Sequence, residues 1–320
     1  MTPPVGTGPA EMTFVIELDR LTKSYGTRRG VVDLSVSVEA GEVFGFLGPN
    51  GAGKTTTIRT LLDLIRPTSG AARVFGLDPR AQAAEIHRRT GYLPGEFGLY
   101  EALTGLEYLA FFSSLRGGVD EASIRTLAER LSLDLEVPIR ELSHGNKQKV
   151  GLVQAFMHQP ELLILDEPTQ GLDPLVQQQF HQLLTEARAE GRTVFLSSHV
   201  MSEVERICDR VGIIREGRVV AVEDIGNLRM KGFRTVEVHL AHRAEAAPIA
   251  ALAGVEEVEA DGNVLRLRVV GSMDALVKAL ARFEVVDLVS HEPNLEDLFL
   301  AQYGERSITE ASGRGEADGV

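Results

Sequence analysis

The stretch that decides the fold runs from residue 42 to residue 65. It reads Glu42-Val43-Phe44-Gly45-Phe46-Leu47, then Gly48-Pro49-Asn50-Gly51-Ala52-Gly53-Lys54-Thr55, then Thr56-Thr57-Ile58-Arg59-Thr60-Leu61-Leu62-Asp63-Leu64-Ile65. The first six residues form a short apolar run that predicts a buried strand, and the last ten predict a helix. The eight residues between them match the phosphate-binding loop pattern G-x-x-x-x-G-K-[ST] in its required strand–loop–helix setting. Glycines let the backbone curl so that successive N–H groups face an anion, and the helix N-terminus adds its positive dipole end. Lys54 is expected at the β- and γ-phosphates, Thr55 at a Mg²⁺ ion, and Thr56 beside them at the helix start. Gly48, Pro49, Asn50, Gly51, Ala52, Gly53, Lys54, Thr55 and Thr56 are therefore the expected contacts of a nucleoside triphosphate.

Two further strands are expected to end at the same site. Leu162-Leu163-Ile164-Leu165 delivers Asp166 and Glu167 at its C-terminal end, the end at which open α/β sheets bind ligands. Asp166 is placed for the Mg²⁺ shell and Glu167 for polarising an attacking water, because phosphoryl transfer depends on positioning and charge neutralisation. Two solvated acids at a strand end would look the same, but the phosphate loop upstream supplies the other half of a site. His199 follows the strand Thr193–Ser198 and reaches the same crevice, although a lone histidine also serves in purely structural roles. Ser143 precedes an apolar-periodic helix (Val150, Val153, Ala155, Phe156), so it reads as an N-cap and as a second helix terminus facing an anion.

Outward from these motifs, residues 13–230 alternate short strands with amphipathic helices, the mark of an α/β fold. Expected strands are Thr13–Leu18, Val31–Val38, Glu42–Leu47, Leu162–Leu165, Thr193–Ser197 and Val211–Arg215. The last turns at Glu216-Gly217 into Arg218–Val222. Residues 86–160 are expected to be a helical subdomain, with helices over Leu103–Leu115, Ser123–Leu131 and from Ser143. Residues 231–304 read as a small α+β accessory domain of ferredoxin-like order: Thr235–Leu240, Ala246–Leu252, Val255–Ala260, Asn263–Val269, Ser272–Arg282 capped by Ser272, Val285–Ser290, and a closing helix Asn294–Gln302. Asp261-Gly262 is its expected hairpin turn. Residues 1–12 and 305–320 read as disordered tails.

The 320 residues carry a net charge of −13, which argues against a general nucleic-acid binder. Cys208 is the only cysteine, so no intramolecular disulfide forms, in keeping with a reducing compartment. No run approaches the roughly 18 apolar residues that span a bilayer, and no signal peptide is legible at the start.

With these motifs assembled, the chain resembles the ATP-binding subunits of ABC transporters, from about Phe14 to Gly226. Tyr25, in Leu-Thr-Lys-Ser-Tyr-Gly, matches the aromatic that stacks on adenine. Gly48–Thr55 matches the Walker A loop, Leu162–Glu167 the Walker B strand, and Leu142-Ser143-His144-Gly145-Asn146-Lys147-Gln148 the signature. Gly171-Leu172-Asp173-Pro174 matches the dimer-contacting D-loop, and His199 the switch histidine. The resemblance implies ATP and Mg²⁺ as ligands and a homo- or heterodimer with two ATP molecules buried between subunits. Ser143, Gly145 and Asn146 of one subunit, with Asp173 nearby, would meet the nucleotide held by the other. It also implies a membrane-spanning permease partner, no nucleic acid, and a cytoplasmic place at the inner face of the membrane. The overall sequence, including Glu292-Pro293-Asn294-Leu295-Glu296-Asp297-Leu298-Phe299, resembles subunits of bacterial ABC-2 type drug and antibiotic exporters.

Two departures stand out. His144 and Asn146 replace a Gly and a Gln of the common signature, and Gly95-Glu96 follows Gly91-Tyr92-Leu93-Pro94 where the family pattern has Gln. Glu96 or the backbone is then expected to replace that side chain. A soluble ABC ATPase of translation or DNA repair, a nucleotide-sensing module without turnover, and an importer subunit are the alternative readings.

Overall fold

In the computed structural model, residues 14–26, 28–96, 98–227, 233–243 and 247–291 are described below. The chain divides into two compact units, Met1–Glu223 and Asp224–Val320.

The first unit is built on the strand β3 (Val43–Leu47), whose five residues are all buried. Its parallel neighbours are β7 (Thr193–Ser198) and β8 (Arg210–Arg215); β7 in turn pairs with β6 (Leu162–Asp166), and β6 with β5 (Thr90–Leu93). With β9 (Arg218–Asp224) the sheet has the order β5-β6-β7-β3-β8-β9. Strands covered on both faces need apolar residues at every position, which is why these runs do not alternate. Phe44 lies opposite Phe195 in the register, and their rings stack at 5.8 Å. Each such fully buried side chain contributes on the order of 1.5–3 kcal/mol over its exposed state.

A second, antiparallel sheet has the order β2-β1-β4, from β1 (Phe14–Tyr25), β2 (Arg28–Glu39) and β4 (Ser69–Val74). One apolar core joins the two sheets: Ile16 and Leu21 from β1 meet Phe46, Phe195 and the helix α1 (Lys54–Leu61) through Ile58 and Leu61. Helix α2 (Pro79–Arg89) is capped by Asp78, whose side chain accepts from the Arg80 amide. The segment between β5 and β6 carries α3 (Gly105–Ser114), α4 (Glu121–Arg130) and α5 (His144–Phe156). Thr104 and Glu107 form a reciprocal capping box on α3, and Ser143 caps α5 as expected. After β6 come α6 (Pro174–Ala189) and α7 (Met201–Ile207).

Corrections to the sequence reading are local. Ser69–Val74 and Thr90–Leu93 are strands, so the 86–160 segment opens on the last residues of α2 and a short strand before its further helices. Helix α1 starts at Lys54 and stops at Leu61, short of Ile65, with Asp63 at φ +52°.

The second unit contains a four-stranded antiparallel sheet in the order β11-β12-β10-β13, from β10 (Phe233–Leu240), β11 (Val255–Asp261), β12 (Val264–Val270) and β13 (Val285–His291). Helices Ala247–Ala250 and Asp274–Leu280 supply Ile249, Leu276 and Leu280 to a core with Val236, Val238, Leu265 and Leu267. Asp261 pairs with Val264, so the turn residues are Gly262-Asn263, one position later than expected. Gly262 takes the positive φ of +63° that the first position of such a turn demands. Ser272 does not occupy the N-cap position, held by Met273, but its hydroxyl still accepts from the Asp274 amide. The expected closing helix, Asn294–Gln302, and both expected tails lie outside the described residues.

Candidate active site

Strands β6, β7 and β3 are neighbours, and Leu47 pairs with Ser198 while Asp166 pairs with Ser197. This register brings the phosphate loop, both carboxylates and His199 to one end of the sheet, although they are far apart in sequence.

The loop geometry requires its glycines. A Cβ on Gly48 would lie 2.3 Å from the Ile214 carbonyl oxygen, and Gly53 sits at φ +115°, a region closed to ordinary side chains. Gly53 is the N-cap of α1 and no side chain caps this helix, which leaves its first-turn amides for a ligand. Lys54 is buried; its Nζ donates to the carbonyls of Gly48 at 2.6 Å and Pro49 at 3.3 Å, and lies 3.0 Å from Glu167 Oε1.

Asp166 is 1% exposed and ends β6. Its Oδ2 accepts from Thr55 Oγ1 at 2.7 Å and its Oδ1 from Ser197 Oγ at 2.5 Å. Glu167 takes the left-handed conformation, φ +50°, in which few non-glycine residues are found. Its amide is held by Ser197 O at 3.2 Å and Ser197 Oγ at 3.1 Å. His199 Nδ1 lies 2.7 Å from Glu167 Oε2; facing an ionised carboxylate, that nitrogen carries the proton. Glu167 Oε1 is buried and has no hydrogen-bond donor, because the contact with Lys54 is close but misaligned.

A cleft of about 180 Å³ is bounded by Asn50, Gly51, Gly53, Lys54, Thr55, Thr56 and Glu167. The other expected residues lie elsewhere in the single chain. Tyr25 ends β1, is 46% exposed, and has Lys23 Nζ 5.1 Å from its ring centroid. Ser143 Oγ accepts from the Asn146 amide at 3.2 Å, and both residues sit at the start of α5. Gly145 packs so tightly on the Gly171 carbonyl oxygen that a Cβ would come within 2.4 Å of it. The Asp173 carboxylate is spent on capping α6, accepting from the amides of Leu175 at 3.1 Å and Val176 at 3.0 Å.

At the departure from the expected Gln, Gly95 lies directly against Asp166: a Cβ there would be 3.2 Å from Oδ2. Backbone stands where the family pattern has a side chain, and Glu96 is exposed. Ser197 escaped the sequence reading, and Gln148 entered it only as the last residue of the signature match, with no role of its own. Ser197 bridges Asp166 and Glu167, and the signal for it was a hydroxyl at the end of an otherwise apolar buried strand. Gln148 is 2% exposed, and its signal was a polar side chain on the apolar stripe of α5.

The donor set fits a nucleoside triphosphate with Mg²⁺. It offers a buried ammonium, a glycine loop with no room for a Cβ at Gly48 or Gly53, a hydroxyl–carboxylate pair of oxygen ligands, and a carboxylate oxygen without a donor. Lys54 balances one of the two carboxylates, which leaves the cluster negative and suited to a divalent cation.

Comparison with known proteins agrees with this chemistry. The sequence profile of the ABC transporter family matches residues 31–170. The chain is 35% identical over 310 residues to a bacitracin transport ATP-binding protein, BcrA, of Bacillus licheniformis, covering 93% of this chain and 100% of that one. It is 34% identical over 304 residues to the linearmycin resistance ATP-binding protein LnrL of Bacillus subtilis, covering 89% and 97%. Among solved structures, an ATP-binding subunit of an ABC transporter superposes with a TM-score of 0.61 at 33% identity, covering 67% of this chain and 92% of that one. The chain belongs to the ATP-binding subunits of the ABC transporter family, which bind and hydrolyse ATP with Mg²⁺.

Proposed function

We propose that this subunit hydrolyses ATP at Glu167 within a homo- or heterodimer and drives export of antibiotics or other lipophilic compounds through a separate ABC-2 type permease. The observation that carries the catalytic part is the contact chain at the strand ends: Lys54 Nζ 3.0 Å from Glu167 Oε1, and His199 Nδ1 2.7 Å from Glu167 Oε2. The amides of Gly51 and Gly53–Thr56, together with the Lys54 ammonium, bind the phosphates of ATP, since the Gly48 and Ala52 amides donate to the Ser198 and Pro49 carbonyls. Phosphate oxygens and Glu167 Oε1 compete for Lys54, so substrate binding loosens that ion pair. Thr55 and Asp166 hold Mg²⁺, which when bound neutralises phosphate charge. Glu167, steadied by His199, orients a water and draws off its proton. The water oxygen bonds to the γ-phosphorus as the bond from phosphorus to the bridging oxygen breaks, leaving ADP and phosphate.

Tyr25 offers its exposed face to adenine. Ser143, Gly145 and Asn146 serve the nucleotide of the partner subunit, and Asp173 acts by shaping the turn into α6 rather than as a free ligand. Among the described residues no helix is long and apolar enough to cross a membrane, which supports a separate permease with this subunit at its cytoplasmic face. Relatives named for bacitracin transport and linearmycin resistance support export of antibiotic-like cargo.

Purifying the full chain with its membrane partner into vesicles tests this reading. ATP-driven movement of bacitracin or linearmycin away from the subunit's side is the expected result. Movement toward that side would make it an importer, and isolation without any membrane protein would remove the transport reading.

A further inference from the structure

The structure assigns to Gln148 a positioning role: from the second turn of α5 it holds the Glu167–Pro168 turn and thereby ties the start of α5 to the aim of the Glu167 carboxylate. Its Nε2 donates to the carbonyl oxygens of Glu167 at 3.3 Å and Pro168 at 3.2 Å. The side chain is 2% exposed, so no water replaces these bonds when they are lost.

The target of these bonds is unusual. Glu167 is held at φ +50°, and a non-glycine residue stays in that region only where its surroundings over-determine it. Ser197 grips the amide side of the residue, through its own carbonyl and hydroxyl, and Gln148 grips the carbonyl side. Together they fix the peptide units on both sides of the Glu167 Cα, and with them the direction in which its carboxylate leaves the backbone.

A second contact joins the same two segments. Gly145, in the first turn of α5, abuts the Gly171 carbonyl oxygen just beyond the turn. Helix α5 and residues 167–171 therefore move as one piece. Helix α5 begins at Ser143, whose phosphate-facing end serves the other nucleotide of the dimer in the function proposed above. Engagement of that end by one ATP is thus transmitted through Gln148 to the glutamate that acts on the other. This inference rests on Glu167 acting in hydrolysis.

The test uses the full-length chain carrying Gln148→Met, which keeps the volume and removes the donors, and Gln148→Asn, which keeps a donor on a shorter stem. Single-turnover hydrolysis, the KM for ATP and the ATP-bound dimer on a sizing column are measured for each. The expected result for Gln148→Met is a kcat about ten- to a hundredfold lower, a KM within about twofold of wild type, and an ATP-bound dimer that accumulates; Gln148→Asn recovers part of the rate. An unaltered kcat overturns the inference. So does loss of the dimer together with kcat, because α5 would then be damaged as a whole. Glu167→Gln, run alongside, separates the two ideas. If it leaves the rate unaltered, the role of Glu167 and this inference fall together. If it abolishes turnover while Gln148→Met does not slow it, only this inference falls.

Discussion

Ser197→Ala isolates one hydroxyl at the centre of the site. Ser197 is fully buried, and its Oγ does two things: it donates to Asp166 Oδ1 at 2.5 Å and accepts from the Glu167 amide at 3.1 Å. Its loss leaves the Glu167 amide with a partner and strips the donor from Asp166 Oδ1 alone, not from the whole carboxylate. Asp166 keeps Thr55 Oγ1 at 2.7 Å, and the Glu167 amide keeps the Ser197 carbonyl at 3.2 Å. The cost is therefore that of one hydrogen bond to a charged acceptor, roughly 1.5–3 kcal/mol. It stays below the roughly 3–5 kcal/mol of stranding a buried charge. Denaturant unfolding followed by tyrosine emission reads this directly, because the chain has no tryptophan and four of its five tyrosines, Tyr25, Tyr92, Tyr100 and Tyr108, lie before Glu223. The first-unit midpoint should fall by the equivalent of about 2 kcal/mol, and turnover should fall with it as both carboxylates loosen. A stability change under about 0.5 kcal/mol, with turnover intact, would refute the claim that this hydroxyl organises the site.

Other perturbations read other parts of the account. Gly145→Ala drives a methyl to within 2.4 Å of the Gly171 carbonyl oxygen, so ATP-dependent dimerisation on a sizing column should weaken at least tenfold while the isolated chain stays folded. Cys208 is buried, and burial followed by the neighbouring charges of Asp209 and Glu42 pushes its thiol pKa up; a thiol reagent at neutral pH should label it only after unfolding. His158 is pushed down to about 4, first by burial and then by Arg116, whose Nη1 lies 2.8 Å from His158 Nε2. Its folded pKa is below the unfolded 6.5, so the unfolded state takes up the proton first, and stability present above that value is lost as pH falls toward 4. His158→Gln should flatten that part of the curve of unfolding midpoint against pH.

What could be read from the sequence depended on how local the cause was. The phosphate loop, the buried runs of β3, β6 and β7, and the cap at Ser143 are dictated within a dozen residues, and each stands where those residues put it. Ser69–Val74 escaped because it is an edge strand with a mostly exposed pattern, and Thr90–Leu93 because four residues with a glycine carry no period. Both are strands through their partners rather than their own composition. The turn at Gly262-Asn263 was displaced by one residue because strand register, not the Asp-Gly pair, set where the hairpin closes. The roles of Ser197 and of Gln148, the latter quoted only within the signature match, were illegible for a related reason. Their importance comes from a parallel register across β6 and β7 and from a helix lying over the strand end, and neither is visible along the chain.

ATP hydrolysis by wild type and Glu167→Gln, with dimerisation followed in parallel, tests the central claim most directly. The account predicts that the variant loses turnover and accumulates an ATP-bound dimer, since the amide still sits beside Lys54 and His199 while drawing no proton from water. If Glu167→Gln hydrolyses ATP as wild type does, or if neither protein dimerises with ATP when the permease is supplied, the account is wrong.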